Sequence, residues 1–123
     1  DTLSLHDALP IFLPRARAFV HHGGIGTTSQ CLAAGLPQLV VPMSLDQPDN
    51  ADRVKRFGVG LSISQGRFTV KRALPLLRRC LEDPEIQQKA RSQAARMFNK
   101  RDINELMAWL EQCMIPKEAA GEA

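Results

Sequence analysis

His22-Gly23-Gly24-Ile25-Gly26-Thr27-Thr28 is the stretch of this 123-residue chain whose residue types could do chemistry. Three glycines after an apolar pair, Phe19-Val20, describe a tight turn with no side chains in the way, and hydroxyls at Thr27, Thr28 and Ser29 follow it. The first backbone N–H groups of a helix lack partners within it, and the helix dipole adds partial positive charge there. Glycine lets an anion approach the backbone and hydroxyls add donors, so a phosphate or diphosphate is the ligand to expect. His22, beside the turn, places an imidazole where it can donate to a phosphate oxygen. Further along, Asp46 and Gln47 set an acceptor-only carboxylate beside an amide that donates and accepts, which suits the hydroxyls of a sugar. A tight strand-to-helix turn wants glycine for steric reasons alone, so the combination carries the reading and not the turn by itself.

These residues need elements to hold them. Phe19-Val20 reads as the end of a buried strand. Thr27, Thr28 and Ser29 open a helix through Ala34, which Gly35 and Pro37 stop. Gln38 to Val41 is a second strand, ended by Pro42. Strand, turn, helix, strand is the unit that builds a parallel sheet. Ligands of such sheets gather at the carboxyl ends of the strands, so His22, the turn and Asp46-Gln47 are expected to line one crevice. Asp46 can cap a further helix with Pro48 in its first turn and Ala51, Val54 and Phe57 as its apolar stripe. Gly58 ends that helix, Val59 to Ser64 reads as a strand, and Gln65-Gly66-Arg67 as a turn. From Thr69, a plausible cap, Val70, Ala73, Leu74, Leu77 and Leu81 recur at helical spacing. An interior proline costs about 3 kcal/mol, so Pro75 is read as a restart of the helix. Asp83-Pro84-Glu85 opens another helix with Ile86, Ala90, Ala94 and Met97 on one face. Ile103, Leu106, Met107, Leu110 and Met114 mark the last.

The motifs also carry a family resemblance. Residues 19–50 resemble the nucleotide-sugar signature of the C-terminal domain of GT-B glycosyltransferases, in the UDP-glycosyltransferase-like branch of macrolide, sterol and small-molecule glycosyltransferases. His22-Gly23-Gly24 matches its His-x-Gly, Gly35-Leu36-Pro37-Gln38 its Gly-x-Pro, and Asp46-Gln47-Pro48-Asp49-Asn50 its Asp/Glu-Gln motif. Weaker similarity runs on to Met97. The resemblance implies an α/β fold, a Rossmann-like parallel sheet with flanking helices, forming part of a GT-B C-terminal domain. It implies that His22, Gly23, Gly24, Gly26, Thr27 and Thr28 hold the donor diphosphate, that Gln30 stands on the ribose side, and that Asp46 and Gln47 hold the transferred sugar. Many plant and animal relatives have Glu where this chain has Gln30, which leaves the donor base open; some have Asn in place of Gly26, a difference that bears on the phosphate contacts. The implied reaction is hexosyl transfer, with inversion, from a UDP- or TDP-linked sugar to a hydroxyl of a small lipophilic or lipid acceptor. The family's general base lies in an N-terminal domain, so no catalytic residue is assigned here.

Length and composition bound the rest. A chain of 123 residues makes one domain, and a whole GT-B enzyme needs two, so the chain reads as a fragment whose missing N-terminal half is its main partner. Residues 1–11 resemble translated adapter sequence and read as a non-native tail; 12–115 read as the partial donor-binding domain, and 116–123 as a disordered tail. A formal charge of +3, without basic–aromatic alternation, argues against nucleic acid. Cys31, Cys80 and Cys113 are too scattered for a metal site, fit buried apolar roles, and suit a reducing cytoplasm. His21 and His22 point to opposite faces of a strand and cannot chelate one metal together; His21 reads as packed at the sheet edge. No signal peptide or membrane span is visible, and peripheral attachment to the inner membrane face stays open. No metal or resident cofactor is expected. Three alternatives remain: a nucleotide-sugar epimerase of the same architecture, a non-catalytic sugar-nucleotide-binding module, and a dinucleotide oxidoreductase. The last rests on Gly24-x-Gly26-x-x-Ser29 with Asp46 about 20 residues on, but its third position is Ser.

Overall fold

The computed structural model describes residues 13–97 and 100–113. The tails expected at residues 1–11 and 116–123, and Met114 of the last apolar stripe, lie outside the described residues. Three parallel strands, β1 (Phe19–His21), β2 (Gln38–Val40) and β3 (Gly60–Ser62), pair in that order, with Phe19 beside Gln38 and Gln38 beside Gly60. Helices α1 (Ile25–Ala34), α2 (Gln47–Arg56), α3 (Val70–Glu82), α4 (Pro84–Met97) and α5 (Lys100–Cys113) follow the strands, with short 3-10 turns at Leu13–Arg15 and Gln65–Arg67. This is the α/β architecture with helices flanking a parallel sheet that the sequence implies.

Why the sheet must be covered twice follows from β2. All three of its residues are buried, and alternation sends Val40 to one face and Leu39 to the other. On the first face Val40 packs with Ala51 and Val54 of α2, Val59, and Ala90 of α4. On the second, Leu39 and Val41 pack with Ile63 and Cys80, and with Leu76 and Leu77 of α3. A third cluster, Leu13, Cys31 and Leu36, seals the outer side of α1. Cys31 and Cys80 are fully buried. Burial pushes the Cys31 thiol up to about 12 and raises Cys80, so both act as small apolar residues; Cys113 is exposed.

Helix ends follow local chemistry. Gly35, in the left-handed region at φ +70°, donates to Leu32, and Leu36 donates to Cys31, closing α1. Thr69 caps α3 by accepting from the Arg72 amide at 3.4 Å. The expected restart at Pro75 does not occur: α3 runs unbroken from Val70 to Glu82. Pro75 lies in the second turn on the exposed side, so only the bond to Lys71 is forfeited, while Leu76, Leu77 and Cys80 are secured against the sheet on the other. Two more boundaries shift. α1 begins at Ile25, two residues before the expected Thr27, and β3 is shorter than Val59–Ser64. Leu106, Met107 and Leu110 of the last stripe are exposed on α5, as is Trp109.

The strands close on one another at Gly60. A Cβ there would sit 2.0 Å from the Gln38 carbonyl oxygen and 2.8 Å from Val54 Cγ1. Gly60→Ala is therefore expected to lower stability by about 3 kcal/mol or more, at the upper end of overpacking costs, read as the urea midpoint.

Candidate functional site

Gly23 is where the site begins. Its φ of +93° lies where side chains are strained, and a Cβ would meet Val40 Cγ1 at 2.8 Å and the Gln47 carbonyl at 3.1 Å. Only glycine lets β1 turn this tightly beside β2 and the start of α2. Gly24 then takes the N-cap position in an extended conformation, with no side chain capping α1. The first paired amide of the helix is that of Thr28, which donates to Gly24 at 2.9 Å. The amides of Ile25, Gly26 and Thr27 therefore have no partner within the helix, and they carry its positive dipole end.

The turn is fixed from below by His21. The Gly23 amide donates to His21 Nδ1 at 2.9 Å, which places the ring proton on Nε2, where it is donated to Gln38 Oε1 at 2.6 Å. Gln38 in turn donates from Nε2 to the Thr28 carbonyl at 3.4 Å. His21 and Gln38 share the α1 face of the sheet because strand register sets His21 beside Val40 and Phe19 beside Gln38. Only a neutral imidazole can accept from Gly23. Burial holds the His21 pKa below its ordinary 6.5; the bond to Gln38 raises it in part, and neighbouring His22 lowers it.

On the other side of the turn, the loop after β2 closes through Gln47. Its Oε1 accepts from the Met43 amide at 2.8 Å and the Ser44 amide at 3.1 Å, which fixes the amide orientation and leaves Nε2 as its ligand-facing donor. The same closure forces Leu45 to φ 58°, an uncommon conformation for a side chain that is 91% exposed. Asp46 occupies the N-cap of α2 without making the expected cap bond. Its Oδ2 accepts instead from Asn50 Nδ2 at 3.1 Å, and that nitrogen also donates to the Gly23 carbonyl at 2.7 Å.

Between turn and loop lies a crevice of about 600 Å³ at the carboxyl ends of β1 and β2. His22, Gly24, Thr27 and Gln47 give it polar surface. Val20, Val41, Met43 and Phe68 give it an apolar portion. His22 is exposed, and its Nδ1 approaches the Val41 carbonyl at 3.4 Å. A smaller cavity of about 290 Å³ between the sheet and α3 is lined almost wholly by hydrocarbon and offers nothing to a charged ligand.

The sequence-based site is thus brought together in part. His22, Gly24, Thr27 and Gln47 meet in the crevice, and Gly26 contributes an unpartnered amide in the first turn. Two of the residues expected at the diphosphate turn inward. Gly23 spends its amide on His21, and Thr28 is 4% exposed with an Oγ1 that finds no hydrogen-bond partner. Because the helix starts at Ile25, the fourth helical position rotates onto the sheet, and Thr28 with it. Gln30 lies half-buried in the second turn of α1, outside the crevice lining. Asp46 is exposed and is not among the residues that line the crevice. His21 and Asn50 are the residues that sequence reasoning passed over. Asn50 was legible as the i+4 neighbour of Asp46 on one helix face; nothing in the sequence gives the contact of either with Gly23.

The parallel sheet with its flanking helices has the fold of the C-terminal domain of GT-B glycosyltransferases. The chain belongs to the family of erythromycin biosynthesis protein CIII-like C-terminal domains, whose model matches residues 1–112. It is 33% identical over 116 residues to aclacinomycin-T 2-deoxy-L-fucose transferase of Streptomyces galilaeus, covering 91% of this chain and 26% of the relative. It is 31% identical over 101 residues to O-mycaminosyltylonolide 6-deoxyallosyltransferase of Streptomyces fradiae, covering 81% and 24%. The crystal structure of the glycosyltransferase VinC in complex with DTDP superposes with a TM-score of 0.71 at 30% identity, covering 85% of this chain and 27% of that one. The chain therefore spans about a quarter of the length of these relatives.

The histidine beneath the turn sets an acid limit. With its folded pKa below 6.5, the stability that neutral His21 contributes is fully present above pH 6.5 and is lost as pH falls below it, because the unfolded chain takes the proton first. Below pH 6.5 the unfolding free energy is expected to fall by up to about 1.4 kcal/mol per pH unit more steeply than in His21→Gln, read from urea titrations at stepped pH.

Proposed function

We propose that this chain binds a nucleoside diphosphate sugar as the donor half of an inverting glycosyltransferase. The observation that carries the reading is the shared crevice: Gly24, Thr27 and His22 at one part, where the unpaired start of α1 opens, the Gln47 side chain at another, and Gly23 tight against the α2 start between them. The amides of Ile25, Gly26 and Thr27, with the Thr27 hydroxyl and the His22 ring, receive the diphosphate. As the glycosyl–phosphate bond breaks, negative charge grows on that leaving group and positive charge on the sugar ring. Backbone donors already aimed at the diphosphate stabilise it without reorganisation and without a metal. Gln47 donates to a sugar hydroxyl within the crevice, and Asp46, exposed outside its lining and held beside the turn by Asn50, accepts from another where the sugar reaches out of it, which orients the anomeric carbon toward the acceptor.

The donor we favour is a TDP- or UDP-linked deoxysugar. The apolar part of the crevice, Val41, Met43 and Phe68, suits a sugar with fewer hydroxyls, and the relatives above are named for deoxysugar transfer. The acceptor, a small lipophilic hydroxyl compound, and the general base that activates it belong to an N-terminal domain. Exposed Val20, Met43 and Phe68 at the crevice give that domain an apolar surface to cover. We place the enzyme in the cytoplasm, in keeping with its unpaired cysteines; no helix among the described residues is long and apolar enough to cross a membrane.

Titration calorimetry with TDP, UDP, TDP-glucose and NAD tests the reading. TDP-glucose or its UDP counterpart binds and NAD does not; NAD binding without sugar-nucleotide binding overturns the assignment. Asp46→Ala and Gln47→Ala are each expected to weaken TDP-glucose by roughly tenfold while leaving TDP nearly unchanged, the loss typical of a hydrogen bond to a charged or well-placed polar partner. Equal losses for both ligands would mean that neither side chain touches the sugar.

A further inference from the structure

The diphosphate turn and the sugar loop belong to different elements, yet one side chain holds both. Asn50 is 4% exposed on the second turn of α2, and its single Nδ2 group donates one hydrogen bond to the Gly23 carbonyl at 2.7 Å and another to Asp46 Oδ2 at 3.1 Å. An NH₂ group has two protons, so both are committed. The acceptors are chemically unlike: one is the peptide oxygen of the residue whose amide already grips His21, and the other is a carboxylate that makes no cap bond to its own helix. A capping carboxylate would have pointed back along the α2 axis. Asp46 accepts instead from Asn50, the same side chain that holds the glycine turn.

We propose that Asn50 is a positioning residue that sets the sugar-binding carboxylate of Asp46 in register with the diphosphate-binding turn. The proposal rests on the donor-binding reading above. Asn50 need not touch the ligand: it is not among the residues that line the crevice. Its effect is transmitted in two directions, through Gly23 to the amides that follow it and through Asp46 to the sugar. Neither Asp nor Ala can replace it. Asp offers no N–H and sets a second carboxylate against Asp46 Oδ2 and the Gly23 oxygen, and Ala leaves the buried Gly23 carbonyl unpaired.

A binding cycle on the whole chain tests this. Affinities for TDP and TDP-glucose are measured by calorimetry for the unsubstituted protein, Asn50→Ala, Asp46→Ala and the double variant, and the sugar increment is the ratio of the two affinities. Asn50→Ala is expected to weaken TDP by roughly tenfold and also to reduce the sugar increment, whereas Asp46→Ala reduces only the increment. In the Asp46→Ala background, Asn50→Ala should lower TDP affinity again but leave the increment unchanged, because the residue it acts through is gone. Additive losses in the increment, or an Asn50→Ala protein that binds both ligands as the unsubstituted one does, would overturn the proposal. If the unsubstituted protein binds neither ligand, the donor-binding reading fails instead. Should Asn50→Ala not melt cooperatively, the side-chain NH₂ resonances of Asn50 in the unsubstituted protein decide. Two separated, exchange-protected signals that both shift with TDP support the role, and an averaged, unshifted pair contradicts it.

Discussion

A glycine with no room for a side chain governs this structure. Gly23 is pressed between Val40 of the neighbouring strand and the backbone of Gln47 at the start of α2, at a φ that disfavours every other residue. Its amide is committed to His21 and its carbonyl to Asn50. With both polar groups taken and both flanks in contact, the chain can leave β1 in one direction only. That direction points the open end of α1 into the crevice. The polar network beneath is high-stakes in the ordinary physical sense: buried and paired, it rigidifies the turn, and unpaired it would cost the desolvation of each group.

The rest of the fold serves that constraint. β2 is buried on both faces because α3 covers one and α1, α2 and α4 the other, so the strand beside Gly23 cannot shift. β3 locks against it through Gly60, where backbone meets backbone. Gln38 bridges the layers: its side chain links His21 to α1, and its carbonyl accepts from the Cys80 thiol of α3 at 3.6 Å. A donor-binding site built on helix amides works only if those amides are already in place when the charge develops, and the core supplies that rigidity. The strain at Leu45 falls in the loop that Gln47 ties down with its own side-chain oxygen.

Much of this was legible in the sequence because it is set by local rules. Glycines at the turn, Gly35 and Pro37 after α1, and the run Gln38–Val41 ended by Pro42 fix the βαβ unit, and the unit fixes which strand ends share a crevice. The family resemblance named the expected ligand, and the family match bears out the family itself. What was not legible depends on rotation and on contacts distant in sequence. A helix that begins at Ile25 and not at Thr27 turns Thr28 from a ligand donor into a buried residue with an unpaired hydroxyl. The commitment of the Gly23 amide to a ring two residues back, and the choice of Asp46 between cap and Asn50, follow from packing that no spacing reveals. Pro75 shows propensity yielding to burial: the forfeited bond lies on the outer side, and the inner side holds Leu76, Leu77 and Cys80 in the core.

Gly24 and Thr27, at the open start of α1, line the same crevice as Gln47, and the proposed donor site depends on that shared face. Backbone amide NMR during a titration with TDP-glucose reads this directly. The Ile25, Gly26 and Thr27 amide signals and the Gln47 side-chain NH₂ are expected to shift together along one saturating curve, with Thr28, already paired to Gly24, moving least. Shifts confined to the arginine-bearing surface around Arg67 and Arg72, with the α1 amides unmoved, would contradict it.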